Sequence, residues 1–340
     1  MSRRTWTLLV SLGLATVLGL LGALAPVPYV ALRPGPTFDT LGVVAGKTVV
    51  NIKGTQTYPA SGHLNMTTVS VVDNVTLYAA LGLWVSGRSE LVPRDEIFDP
   101  GLSEQQVGQQ NQQMFRDSEA NARAAALRYL GYPTTVVAGQ VTPGGAASSQ
   151  LAVGDRLLAV DGRELQTSQQ TVGILAGSHP GQVVQLRFQR GDAPPKEVSV
   201  TLGAGPQPGR GYLGLGLTER PEVPFTVTIT LADVGGPSAG LMFALAIVDK
   251  LTPGALTGNT FVAGTGEITT DGQVGPIGGI PLKMISAREA GATVFLVPAG
   301  NCAEAAQRTP AGLQLVRVGT LTDAVHALDQ LRAGQQPPHC

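Results

Sequence analysis

One stretch restricts this chain more than any other: Gly235-Gly236-Pro237-Ser238-Ala239-Gly240. Residues 225–231 ahead of it alternate with period two and read as a strand, and residues 241–250 after it read as a buried helix. A serine therefore lies at a glycine-rich turn feeding a helix N-terminus. Free backbone N–H groups and the helix dipole favour negative charge there, as an oxyanion requires. Taken alone, the stretch allows two readings of Ser238. It is a helix cap in a tight turn, or it is a nucleophile.

The 340 residues suggest two or three domains. Hydrophobic residues make up 43% and aromatics only 5%, so the core is expected to be mostly Ala, Val and Leu. Lys plus Arg (23) nearly balances Asp plus Glu (24), and no long run of one sign occurs, so no nucleic-acid partner is expected. Cys302 and Cys340 have no metal-ligand spacing and form no disulfide framework. A free buried thiol at Cys302 and a mobile Cys340 are expected, although an oxidising compartment would let the two pair. His63 has no second ligand at a suitable spacing and reads as a surface residue. No metal and no cofactor are expected.

Arg3 and Arg4 precede an uncharged run over 5–32, whose apolar core at 8–30 is long enough to cross about 30 Å of hydrocarbon. Ala23-Leu24-Ala25 resembles a signal-peptide cleavage site, but Pro26 and Pro28 fit cleavage poorly and the run exceeds a usual signal core. The favoured reading is an uncleaved single-pass anchor over 1–33. Arg3 and Arg4 then stay cytoplasmic, the remaining chain lies outside the cytoplasm, and Pro34-Gly35-Pro36 forms a stiff exit. Gly42 to Thr48 imitates a phosphate loop but lacks its first glycine (Leu41 stands there), and strand-like residues follow. No other stretch offers a Walker motif, so no ATPase is read in this chain.

Residues 62–71 read as a strand, 76–85 as an apolar helix and 90–108 as an irregular loop. Residues 109–130 read as a helix with one small-residue face (Met114, Ser118, Asn121, Ala122, Ala125, Ala126, Tyr129), stopped by Gly131. Short strands and turns then dominate 132–205, with Gly154-Asp155 as a turn and Asp161-Gly162 as a hairpin signal. The run Leu151-Ala152-Val153-Gly154-Asp155, a strand, then Asp161-Gly162 resembles a PDZ domain. That resemblance implies binding of extended peptide ends by strand addition. Gly211-Tyr212-Leu213-Gly214 has the character of a carboxylate-binding loop but lies at the far end of the module, where it reads equally as part of the next domain.

Downstream of Ser238 come Gly264-Thr265-Gly266-Glu267-Ile268, then Pro276-Ile277-Gly278-Gly279, then Lys283. With Gly236-Pro237-Ser238-Ala239-Gly240, this order closely resembles the proteolytic domain of Lon-type proteases, in the membrane-anchored bacterial branch that joins a PDZ domain and lacks an ATPase. The resemblance implies an ATP-independent serine endopeptidase with Ser238 as nucleophile and Lys283 as its base. It also implies Thr265 as the group orienting the lysine, and backbone N–H groups at Ser238 and Gly235 or Gly236 as the oxyanion hole. The family commonly carries Asp where this chain has Gly235. It also implies polypeptide substrates and a possible hexameric ring. Gly62-x-Leu64-x-x-Thr67 and the 114–130 helix with Ser118 are similar to the opening of such a domain.

The expected fold class is therefore α+β: a transmembrane helix and a Lon-type domain with an inserted PDZ-like β-rich module. The expected segments are 1–33, 36–131 (first part of the peptidase), 132–205 (PDZ), 210–333 (catalytic) and 334–340 (flexible tail). Two rival functions remain. Gly236-x-Ser238-x-Gly240 also fits the nucleophile elbow of an α/β-hydrolase esterase, for which His326 or His339 would be the base. A dead peptidase fold could also serve as scaffold for a PDZ-type binding protein.

Overall fold

After Arg4 the N-terminal sequence is uncharged, and it forms helix α1 (Arg3–Leu24) with its side chains exposed along nearly its whole length. The computed structural model describes residues 3–231 and 234–340, without the side chain of Glu104, so the first two residues of the expected anchor lie outside it. α1 is long and apolar enough to cross a membrane. It ends earlier than the apolar run suggests, because the β-branched and apolar residues after Pro28 enter a sheet. Strand β1 (Tyr29–Asp39) buries Val30 and Ala31 completely. Pro34-Gly35-Pro36 is thus no stiff exit but the middle of β1. Proline is tolerated there because the neighbouring strand on one side pairs only with 29–32, and the register on the other side shifts between Pro34 and Thr37.

The chain continues through β2 (His63–Val72), helix α2 (Leu77–Ser86) and β3 (Glu90–Pro93). The expected loop at 90–108 is therefore partly ordered, with β3, a short helix at Arg94–Ile97 and the first turn of α3 (Glu104–Tyr129). The buried row of α3 is Phe115, Ser118, Ala122 and Ala126. Met114 and Tyr129, expected on that face, are exposed. The helix is rotated to seat the larger Phe115 ring edge-on against Phe243, with centroids 5.7 Å apart.

The chain divides into two compact units. One comprises 1–51, 56–122 and 227–340, the other 52–55 and 123–226. The second unit holds β4 (Thr134–Val141), β5 (Arg156–Val160), α4 (Ser168–Leu175), β6 (Val183–Gln189), β7 (Lys196–Thr201) and β8 (Leu215–Pro221). Its antiparallel sheet runs β7-β6-β5-β4-β8. Asp161 and Gly162 both take positive φ, as the expected two-residue hairpin turn after β5 requires. Thr167 and Gln170 close a capping box that starts α4.

The first unit resumes with α5 (Gly240–Leu251), β9 (Phe261–Gly264), α6 (Ile280–Glu289), β10 (Val294–Pro298), β11 (Gln314–Val318) and α7 (Leu321–Arg332). Its mixed sheet has the order β11-β10-β9-β2-β1-β3, with the β2, β9, β10 and β11 pairs parallel. β10 is buried at every position, as a strand covered on both faces must be. α5 is buried from Gly240 to Asp249.

The expectation of a free thiol and a mobile tail does not hold. Cys302 and Cys340 form a disulfide, and Arg317 N donates to Pro338 O at 2.9 Å. Both cysteines pack against the core cluster that contains Phe295 and Ala305. The bridge joins residues 38 apart, which in the chain-entropy account restricts the unfolded state by about 4 kcal/mol. Cys340→Ser, or a thiol reductant on the parent protein, should lower the denaturation midpoint of this unit. Reductant should have no further effect on Cys340→Ser.

Candidate active site

Three loops converge where β9 ends. Gly264 closes β9, and Thr265 follows it into the space beside the N-termini of α5 and α6. Ser238 lies two residues before α5. Its carbonyl accepts from Gly266 N (2.8 Å) and from Thr265 Oγ1 (3.0 Å). Gly240 must be glycine, since a Cβ there would stand 2.8 Å from Ile268 Cγ2 and 2.9 Å from Ser118 Oγ.

Lys283 sits in the first turn of α6. That turn is set by Gly279, which caps the helix at φ 70° and lies flush against Val69, and by Pro281 in the first turn. Lys283 Nζ lies 2.8 Å from Ser238 Oγ and donates to Thr265 Oγ1 at 3.0 Å. The lysine is 4% exposed and Thr265 is fully buried. Burial brings the lysine down from the usual range to about 8, and the carboxylate of Glu267 opposes that shift. A cavity of about 550 Å³ opens onto this group and is lined by Pro36, Phe38, Val69, Gly235, Ser238 and Glu267, among others. Among the described residues no histidine lines it. His326 and His339, the candidate bases of the esterase reading, are exposed.

The serine loop is held from behind by α3. Ser118 Oγ donates to Pro237 O at 2.8 Å, and Gly236 N donates to Asn111 O at 2.9 Å. The Gly236 N–H is thus engaged by the helix. Gly235 has a steric reason to be glycine, since a Cβ there would come 2.9 Å from Asn111 Cβ. An Asp at that position, common in the resembled family, would collide with α3.

Asn301 is a supporting residue to which the sequence reading, noting only that it follows the strand at 294–298, gave no role. It is 5% exposed, accepts from Ile277 N (2.9 Å) and donates to Ile277 O (2.9 Å). It thereby pins the turn that leads to Lys283. The available signal was an amide side chain just beyond an all-apolar strand. In the second unit, a groove of about 340 Å³ runs between α4 (Thr171, Val172, Leu175) and Tyr212, Leu213 and Leu215. β8 is the last strand of its sheet, with one edge unpaired, and Gly211-Tyr212-Leu213-Gly214 belongs to this unit.

Residues 231–328 match the Lon protease (S16) C-terminal proteolytic domain, and residues 111–202 match the PDZ domain. The chain carries a Lon-type proteolytic domain and a PDZ domain. The chain is 46% identical over 63 residues to the Lon protease of Clostridioides difficile, covering 18% of this chain and 8% of that protein. It is 40% identical over 97 residues to the Lon protease of Azospirillum brasilense (27% and 12%). It is 34% identical over 129 residues to Lon protease 1 of Sorangium cellulosum (36% and 16%). The chain therefore spans a small fraction of the length of these relatives. Among solved structures, the PDZ domain of an SdrC-like protein from Listeria monocytogenes is 23% identical, covering 24% of this chain and 86% of that chain with a TM-score of 0.23.

Asn301→Ala would take from half-buried Ile277, in the Lon-type domain, the side-chain partners of its N–H and C=O. It should cost about 1–3 kcal/mol in denaturant unfolding of that domain, and Asn301→Asp should cost no less, because it sets a carboxylate against Ile277 O and the Glu304 carboxylate that Asn301 Nδ2 now faces at 2.9 and 3.4 Å.

Proposed function

We propose that this chain is a membrane-anchored serine endopeptidase that works without ATP through a Ser238–Lys283 dyad. The observation carrying this reading is the buried amine 2.8 Å from the serine hydroxyl. Neutral Lys283 accepts the Ser238 proton as Oγ attacks the scissile carbonyl carbon. The oxyanion is met by the Ser238 backbone N–H together with that of Gly235, at the positive end of α5. The lysine ammonium then protonates the leaving amine, and an acyl-serine ester remains. Water, deprotonated by the same amine, hydrolyses the ester and regenerates the serine. Thr265 Oγ1 accepts a hydrogen bond from the lysine amine and donates its own O–H to Ser238 O, which fixes the amine toward Oγ.

Without an unfolding motor, such a site takes flexible or unfolded segments. The PDZ unit supplies a place for an extended peptide on the free edge of β8, beside α4. In this reading the PDZ unit is an insertion between two parts of one peptidase domain. α1 is the anchor, with Arg3 and Arg4 on the cytoplasmic side. The Cys302–Cys340 bridge suits an oxidising compartment outside the cytoplasm. A homo-oligomeric ring belongs to the same reading and rests on the family resemblance.

The test is cleavage of a fluorescently labelled unfolded protein by the purified full chain in detergent, without nucleotide. Ser238→Ala and Lys283→Ala should each reduce the rate about a thousandfold or more. Full activity in either variant would rule out the dyad. With the lysine at about 8, about one molecule in ten carries a neutral amine at pH 7 and about nine in ten at pH 9. kcat/KM should therefore rise with pH through about 8 and then level off. Glu267→Gln, which removes the charge favouring the ammonium, should move that limb to lower pH.

A further inference from the structure

Helix α2 carries an apolar face that the protein leaves open. Its ten residues, LYAALGLWVS, include no charge, while Asp73 and Asn74 precede it and Arg88 and Glu90 follow. Gly87, at φ 65°, ends it. One side packs inward: Ala80 is buried and Leu83 half-buried, against Ala31, Val75 and Leu91. On the other side Leu77, Tyr78, Leu81, Trp84 and Val85 are exposed, at the spacing of a single helical face. Trp84 is 68% and Val85 78% exposed. At about 1.5 Å per residue the helix is about 15 Å long, half of what a bilayer crossing needs.

The start of α2 touches the end of α1. The Tyr78 ring lies against Gly22 so closely that a Cβ there would come 2.7 Å from its Cζ, and its hydroxyl reaches toward Gly19. Gly19 precedes the end of α1 by five residues, about 7.5 Å along the axis. An interfacial helix buries its apolar face about 5–10 Å into the boundary between headgroups and acyl chains. The depth that Tyr78 marks on α1 falls in that range, and Trp and Tyr are the residues that favour this layer.

We propose that α2 is a second membrane contact. Its Leu77, Leu81, Trp84 and Val85 face lies in the interface of the phospholipid bilayer that α1 crosses, on the side where α1 ends. The inference rests on the reading of α1 as a span. It gives the open face a physical purpose. A single spanning helix leaves the attached domain free to tilt and spin, whereas a second contact beside it sets one orientation. β1 runs on from the α1 end, and Pro36 of β1 lines the Ser238 cavity. Tyr29 to Pro36 covers about 23 Å of extended strand, so the cavity is held within that reach of the membrane.

The two tryptophans of the chain, Trp6 and Trp84, make the test direct. Full-length Trp6→Phe, with Trp84 alone, and Trp84→Phe, with Trp6 alone, are reconstituted into phosphatidylcholine–phosphatidylglycerol vesicles. Quenching is read with phospholipids brominated near the headgroup or near the chain end, and with aqueous iodide. Trp84 emission should be at least halved by the shallow bromolipid, less by the deep one, and shielded from iodide. Iodide quenching of Trp84 as strong as for a free indole would overturn the proposal. So would shielding of Trp84 from both iodide and bromolipid while Trp6 is lipid-quenched, because another protein surface would then cover α2. Trp6 unquenched by either bromolipid would overturn the spanning reading of α1 and this inference with it.

Discussion

An ammonium group removed from water is the constraint on which the rest of the Lon-type domain depends. Lys283 is kept at 4% exposure beside Ser238 and Thr265, with Glu267 the charge that favours its protonated form. A lysine in such a place is costly as a cation, and that cost is what lowers its pKa to about 8 and lets the proposed dyad use it as a base. Keeping it there requires three backbones to meet: the end of β9, the turn before α5 and the start of α6. The glycines at 240, 264 and 279 are sites where a Cβ would stand within 3 Å of a neighbouring side chain. They allow that approach.

The serine turn is supported by a helix far away in sequence. Ser118 and Asn111 of α3 bind Pro237 O and Gly236 N, so the loop is set by residues more than a hundred positions upstream. This dependence explains why residues on both sides of 123–226 belong to one compact unit. Neither part alone holds the turn. It also explains Gly235, where the backing helix excludes a side chain.

Much of the candidate site's local geometry was legible in advance because it is carried by short stretches of chain. A glycine turn entering a helix, a Thr after a strand and a Lys in a first helical turn can be read from local order. The hairpin at Asp161-Gly162 and the capping box at Thr167 are equally local. The failures share one cause. The extended Pro34-Gly35-Pro36, the Phe115 face of α3, the pairing of Cys302 with Cys340 and the clamp of Asn301 on Ile277 all depend on partners distant in sequence. No local pattern encodes the identity of such a partner.

The sequence by itself determined the element types on either side of Ser238, the apolar N-terminal helix, the absence of a charge pattern suited to nucleic acid, and the order of Ser238, Thr265 and Lys283. These follow from periodicity, composition and backbone preference, which act over a few residues. Only the tertiary structure decided that the lysine is buried and within hydrogen-bond reach of Ser238. It alone decided that the tail is bridged to the core, and that α2 keeps one face open beside the end of α1. Burial, pKa and exposure are properties of packing, and packing is fixed only when distant segments meet.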